Sequence, residues 1–354
     1  MKASEIPGLP DRETLLALIE QASEILLSYA EVLRPRTLLG RPGGIVVLPQ
    51  DESLLIPDLH GRADFLFAVL KAIAPGETAL RVEDLLKENR LSLVCLGDVL
   101  HTEGRAAAER WHCAATRLLS TSEGGTSPNP ELEEEMSESL AALSLVLRCI
   151  VAYPGAFFCL KGNHDNMGNL DSDGDKPFYK YAFEGAMCAA WFSSRYGALL
   201  LEVLRKYERS LPLVATGKQF FASHAEPRSA VASLDILEYF DKPNLVYNLI
   251  WTGNGEAEKG SVGKSISALR PWIEGLTGWP CTDTDTICWF AGHRPVNEGY
   301  KARLSDRFVQ IHDPGKNQIV WVDGRGDFQL YTLVGAGLVR SKLPSGIDHE
   351  EGRH

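Results

Sequence analysis

A chain of 354 residues, 44% hydrophobic and 23% charged, has the make-up of a globular protein that can bury one large core. Its net charge of −11 excludes a general electrostatic pull towards nucleic acid or an anionic membrane as the source of function. The seven cysteines form no C-x-x-C pair, and Cys95, Cys159 and Cys288 sit inside apolar runs as small core residues, which predicts a reducing, cytoplasmic setting. No basic start followed by an apolar stretch predicts a secretory signal. The most apolar long window, residues 140–160, contains Arg148 and Pro154, which argues against a membrane span.

In chain order, residues 11–34 predict an amphipathic helix. Asp11 is its cap, and Leu15, Leu16, Ile19, Ala22, Ile25, Leu26, Tyr29 and Leu33 recur at helical spacing. Residues 44–48 predict the first strand. Residues 53–57 predict the next, ending at Asp58-Leu59-His60-Gly61, and 62–74 a crossover helix with Arg62 in its first turn. A short helical stretch over 80–89 precedes a strand over 91–96 that ends in Gly97-Asp98. Then come a helix over 105–120, a Ser/Thr/Gly/Pro loop over 120–130, and a helix to Ala152 that opens on Glu131, Glu133, Glu134 and Glu135. Residues 156–160 are too few for a helix and read as a buried strand. Gly162 then allows a sharp turn into Asn163-His164-Asp165.

The second half continues with a polar Gly/Asp-rich loop over 166–180. Its Asp-Ser-Asp-Gly-Asp run lacks the Glu of a calcium loop. A helical segment covers 181–209. Strands over 219–223 and 286–291 end at His224 and at Gly292-His293. Between them, 253–264 reads as a loop, and Gly263-Lys264-Ser265 lacks the upstream glycine and strand of a phosphate-binding loop. Residues 307–311, 317–323 and 326–333 predict strands that close the second sheet. The tail from Ser341 is expected to be disordered.

Five apolar runs thus deliver Asp, His or Asn at their C-terminal edge, where ligands collect in open α/β sheets. One histidine beside an apolar run is usually structural; five such coincidences are not. Carboxylate, imidazole and amide oxygen together suit Mn, Fe, Zn or Mg without any cysteine. The set exceeds the needs of one ion and matches a two-metal site with ions roughly 3.5–4 Å apart.

The order Asp-x-His, Gly-Asp, Gly-Asn-His-Asp, His, Gly-His resembles the signature of the calcineurin-like metallophosphoesterases. The flanks are similar to the phosphoprotein phosphatase branch: Tyr153-Pro154-Gly155-Ala156-Phe157-Phe158, Leu211-Pro212-Leu213, Leu249-Ile250-Trp251, and His293 followed by Asn297-Glu298-Gly299-Tyr300. The resemblance spans residues 53 to about 312. It implies an α/β fold, a metallophosphoesterase-type β-sandwich of two mixed sheets flanked by helices. The resulting division is an N-terminal helical extension over 1–40, a catalytic domain over 41–335 with a helical insertion at about 105–136, and a tail over 336–354. It implies two divalent ions, Mn first, with Asp58 and His60 on one, Asn163, His224 and His293 on the other, and Asp98 bridging both. A metal-bridging hydroxide would attack phosphorus and His164 would protonate the leaving oxygen. Arg62, Arg105 and Arg294 are candidates to hold phosphate oxygens. The expected partner is a phosphorylated substrate, either a phosphoprotein or a nucleotide-like small molecule.

One segment departs from the branch. After Gly97-Asp98 the pattern continues Val99-Leu100-His101-Thr102-Glu103-Gly104-Arg105, with His101 where the branch has an Asp that orients the catalytic His. Thr102 stands where the branch has a phosphate-gripping Arg. Glu103 and Arg105 are the residues that could restore both roles. Three readings follow: a phosphomonoesterase, including a protein serine/threonine phosphatase; a dinucleoside polyphosphate hydrolase; or a catalytically impaired phosphatase-like scaffold.

Overall fold

The computed structural model describes residues 8–104, 106–120, 129–168, 171–280, 284–303 and 307–341. Among them the strands are β1 (Ile45–Val47), β2 (Glu52–Ile56), β3 (Leu91–Cys95), β4 (Phe157–Cys159), β5 (Val214–Thr216), β6 (Phe220–Ser223), β7 (Cys288–Ala291), β8 (Lys301–Arg303), β9 (Phe308–Gln310), β10 (Gln318–Val322), β11 (Phe328–Val334) and β12 (Gly337–Arg340). The helices are α1 (Arg12–Ser28), α2 (Ala63–Lys71), α3 (Val82–Lys87), α4 (Ala107–Ser120), α5 (Pro130–Ala152), α6 (Glu184–Tyr196), α7 (Ala198–Ser210), α8 (Ser233–Leu237), α9 (Pro243–Ile250) and α10 (Ser261–Thr277).

Two mixed six-stranded sheets result, in the orders β1-β5-β6-β7-β9-β8 and β12-β11-β10-β2-β3-β4. Each contains a parallel trio, β6 with β7 and β9 in the first and β2 with β3 and β4 at one end of the second. Parallel neighbours need long crossovers, and the intervening helices supply most of them. The trios matter because parallel strands in a sheet end on the same edge.

Alternation along the strands sorts the core. Ile45, Val47, Val214, Phe221, Trp289 and Phe308 face a cluster shared with α8, α9 and α10. Their neighbours Val46, Ala215, Phe220, Ala222, Phe290 and Val309 join the larger cluster with the second sheet, α1, α2 and α5. Phe221 stacks on Trp289 at 5.4 Å in the first of these layers.

Several elements differ from the reading of the sequence. The helical segment over 181–209 is two helices, broken at Gly197, whose φ of +92° no helix admits. Gly263-Lys264-Ser265 lies inside α10 rather than in a loop. β5, β8 and β12 are short strands whose sequences carry too little pattern to announce them. β12 occupies residues assigned to the tail; residues 342–354 and 121–128 lie outside the described residues. The insertion is a helix pair, α4 against α5, tied by Arg110 to Glu134, Glu135 and Glu138. Among the described residues, no helix is long and apolar enough to cross a membrane.

The N-terminal helix also stops early, at Ser28, because the chain turns to insert Arg34. That side chain is fully buried and donates to the carbonyls of Gly43, Leu26 and Ser210 and to the Tyr239 hydroxyl. It links α1, the entry to β1, the end of α7 and the helical cluster behind the first sheet. Removing it leaves three buried carbonyls without a donor, each worth about 1–3 kcal/mol. Arg34→Ala is therefore expected to lower unfolding free energy by about 3 kcal/mol or more, read from the urea midpoint, while leaving divalent-ion binding by the folded protein unchanged.

Candidate metal centre and cleft

The two parallel trios end side by side and deliver their polar residues to one place. Asp58 and His60 follow β2, Asp98 follows β3, and Asn163 and His164 follow β4. From the other sheet, His224 follows β6, His293 follows β7 and His312 follows β9. The turns are tight. His60, Asp98, His101 and His293 all take positive φ, at +44°, +48°, +68° and +64°. Such backbone costs about 1–3 kcal/mol per residue and persists where the surroundings impose it. Gly162 and Gly292 are fixed by a related demand: a Cβ on Gly162 would collide with the Asp98 carboxylate, and one on Gly292 with that of Asp58.

Backbone contacts aim the side chains. The His60 Nδ1–H donates to the His101 carbonyl at 2.9 Å, and the His224 Nδ1–H to the Leu96 carbonyl at 2.8 Å. A carbonyl only accepts, so both rings donate from Nδ1 and turn Nε2 towards the other polar groups. The Asp98 Oδ1 accepts the His164 N–H at 2.8 Å, and the Asp58 Oδ2 accepts the His293 N–H at 2.9 Å. Asp165 ties two turns together, its Oδ1 accepting from Val99 N–H and its Oδ2 from Gly162 N–H, both at 2.9 Å.

The side chains so aimed converge. His224 Nε2 stands 2.9 Å from Asn163 Oδ1, 3.2 Å from His293 Nδ1 and 3.4 Å from Asp98 Oδ2. His60 Nε2 stands 3.6 Å from Asp98 Oδ2 and 3.8 Å from Asp58 Oδ2, which is itself 3.8 Å from His312 Nε2. Among the described residues, one ligand atom per residue lies within 4.8 Å of the others in three groups: Asp98 with His224 and His293, and Asp58 with His60 and His312, which take in the expected ligands, and a third of His60 with His101, Glu103 and His164. Nitrogen and oxygen donors at these separations are close enough to share a divalent cation placed between them.

The acid–base balance agrees. Burial pushes the Asp58 carboxyl up to about 7, with His224 opposing and Asp98 adding to the rise. Burial and then the charge of Asp165 raise Asp98. Burial pulls His60 down to about 4, and lowers His164, His293 and His312 with help from neighbouring imidazoles. Neutral imidazoles and carboxylates that resist ionising describe a pocket short of positive charge, which the donor set fits a divalent ion to supply.

The calcineurin-like phosphoesterase family matches residues 53–297, more than half of the chain. The chain belongs to that family. Membership in the calcineurin-like phosphoesterases implies divalent metal ions and chemistry on phosphoesters, and the two ligand groups are where the ions would be held. Among solved structures, the chain is similar to a protein serine/threonine phosphatase from Saccharomyces cerevisiae described as similar to human phosphatase PP5, at 12% identity and a TM-score of 0.49, covering 94% of this chain and 89% of that one. It is also similar to a cold-active protein-tyrosine phosphatase of a psychrophilic Shewanella species, at 14% identity and a TM-score of 0.38, covering 86% and 82%. Comparison with curated proteins gives no match.

Beside the ligands opens a cavity of about 300 Å³ lined by Asp98, Glu103, Asn163, His164, His293 and Arg294, and further out by Lys176, Lys180, Tyr179, Tyr247 and Trp251. All six expected ligands thus meet at one edge, with His164 and Arg294 on the cavity wall. Arg62 does not reach the cavity. Its guanidinium donates to the Leu59 and Asp58 carbonyls and to Asn317, bracing the turn that carries Asp58. The crossover helix starts on that turn, so a first-turn arginine folds back onto it. Arg105 lies outside the described residues. Thr102 is buried and bonded to Glu135 of α5. Glu103 reaches Lys180 at 2.6 Å and lies 3.7 Å from His60 Nε2, so it faces the ligand group rather than bonding to His164.

The residue that sequence reading missed is His312. The signal was present: Phe308-Val309-Gln310-Ile311 is one more apolar run that ends in a histidine. In the place of a direct ligand, His312 would matter at least as much as an outer-sphere partner, whose loss costs about 10–100-fold in metal affinity. His312→Ala is expected to lower Mn affinity at one of two sites by that factor, read by isothermal titration, and Asp98→Asn to reduce bound metal from two ions towards one. Two undiminished sites in both variants would contradict the ligand assignment.

Proposed function

We propose that this chain is a binuclear metallophosphatase that hydrolyses phosphate monoesters. The observation that carries the reading is the convergence of Asp, His and Asn side chains from six strand ends beside a cavity lined by both cations and carboxylates. Asp58, His60, Asp98 and His312 would hold one ion, and Asp98, Asn163, His224 and His293 the other. Oxygen and nitrogen donors without thiolate favour Mn among the candidates. Bound there, the ions supply charge that polarises the phosphoryl group and makes water acidic enough to attack at neutral pH.

The chain's own side chains do the rest. Arg294 and Lys180 hold phosphoryl oxygens in the cavity and fix phosphorus for in-line attack. His164, with Nε2 at 4.0 Å from Asp98 Oδ2, stands on the wall where the leaving oxygen departs. His164, once it takes up a proton beside the anionic substrate, would pass it to that oxygen as the P–O bond breaks and its electron pair departs there, a contribution of about 10²–10⁴-fold. The phosphoprotein phosphatase-like flanks make a phosphoserine or phosphothreonine side chain the first substrate to try. A dinucleoside polyphosphate is the second, because three aromatic rings and three cations line the same cavity. The six free cysteines among the described residues fit a cytoplasmic site of action.

With Mn added, an aryl phosphate, a phosphopeptide, a dinucleoside tetraphosphate and an aryl phosphodiester separate these readings. Monoester hydrolysis that a chelator abolishes and Mn restores is the expected result. Protein with both ions bound that hydrolyses neither monoester would sink the proposal. Arg294→Ala is expected to raise KM for the monoester by about 10- to 100-fold, the value of a charged hydrogen bond, with a smaller change in kcat.

A further inference from the structure

His164 needs a partner at its second ring nitrogen to hold its orientation, and the structure leaves Nδ1 buried without a hydrogen bond. What stands next to it is His101. That residue is fully buried, its ring centroid is 4.4 Å from that of His164, and neither of its ring nitrogens makes a hydrogen bond. An imidazole is an expensive group to bury unsatisfied. It is also held firmly. The His101 N–H donates to Ser139 at 3.0 Å, its carbonyl takes the His60 Nδ1–H, and its ring stacks on Trp111 at 5.2 Å. Phe178 stacks on His164 at 4.9 Å and packs on His101 at 5.3 Å, so the two imidazoles share one apolar wall.

Behind His101 lies a second buried group. Glu184, at the start of α6, is fully buried, and its Oε1 stands 3.5 Å from His101 Nε2. Its carboxylate also accepts the backbone N–H groups of Lys180 and Tyr181. Against the effect of burial, the contact with His101 and those N–H groups draw the Glu184 carboxyl down to about 2, so it is charged. Glu184 thus turns its charge to the Nε2 edge of the His101 ring. At the Nδ1 edge Glu103 Oε1 lies 3.8 Å away, and one ring nitrogen of His101 lies within 4.8 Å of one of His164.

We propose that Glu184 and His101 form a positioning relay for His164: the imidazole of His101 fills the place of a carboxylate beside His164, and Glu184 supplies the negative charge one residue further out. The proposal rests on the phosphomonoesterase reading, in which His164 gives its proton to the leaving oxygen. Neither relay residue touches substrate. Their work is to hold the His164 ring with one nitrogen towards the cavity.

A positioning role for a general acid shows in the leaving group. Glu184→Gln is expected to lower kcat on a phosphoserine peptide by about 10-fold or more, while turnover of 4-nitrophenyl phosphate, whose leaving group needs no proton, changes by no more than about twofold. KM and bound Mn should stay as in the wild type. Because Glu184 also accepts the backbone N–H groups of Lys180 and Tyr181, His101→Gln is made in parallel. It leaves those two contacts intact and must show the same selective loss. His101→Asp puts the carboxylate directly beside His164, and in that background Glu184→Gln is expected to cost nothing further. Equal losses on the two substrates, no loss in either single variant, or an undiminished effect of Glu184→Gln in the His101→Asp background would overturn the relay. A wild type inactive on both substrates with Mn bound would instead overturn the reading beneath it.

Discussion

The Asp98 carboxylate is the point on which this fold turns. It follows the central strand of one parallel trio, its backbone is at positive φ, and its Oδ1 is fixed by the His164 N–H. Its Oδ2 faces His60 at 3.6 Å and His224 at 3.4 Å, one from each sheet. A buried carboxylate beside a second buried carboxylate is unfavourable by itself. Rigid strands, turns without a spare Cβ at Gly162 and Gly292, and Asp165 linking two loops all hold the arrangement against that cost.

Much of this was legible in the sequence, because the signal was a repeat of one pattern: an apolar run short enough for a strand, ending in Asp, His or Asn. It located both trios' ends and all six expected ligands. His312 carried the same signal and went unread because its strand was assigned only to closing a sheet. Side-chain direction was not legible. Arg62 and Arg294 both lie close in sequence to ligands, yet the first folds back on the Asp58 turn and the second faces the cavity. Which way each points depends on tertiary packing that no local pattern encodes.

The departure after Gly97-Asp98 shows the same limit. From sequence, Glu103 was the nearest carboxylate to replace the missing one. In the fold it turns to Lys180 and the ligand group. The carboxylate that reaches His101 is Glu184, some eighty residues away and brought in by the start of α6. Arg34 is a similar case: its hydrogen bonds join chain segments as far apart as Gly43, Ser210 and Tyr239. Long-range polar pairings leave no periodic trace, whereas burial does.

The central claim is that the two ligand groups hold two ions sharing Asp98. Crystals grown with Mn and measured at its absorption edge test this without reference to any substrate. The account expects two anomalous peaks about 3.5–4 Å apart. One should lie among Asp58, His60, Asp98 and His312, the other among Asp98, Asn163, His224 and His293. A single peak, or none, at saturating Mn would contradict it.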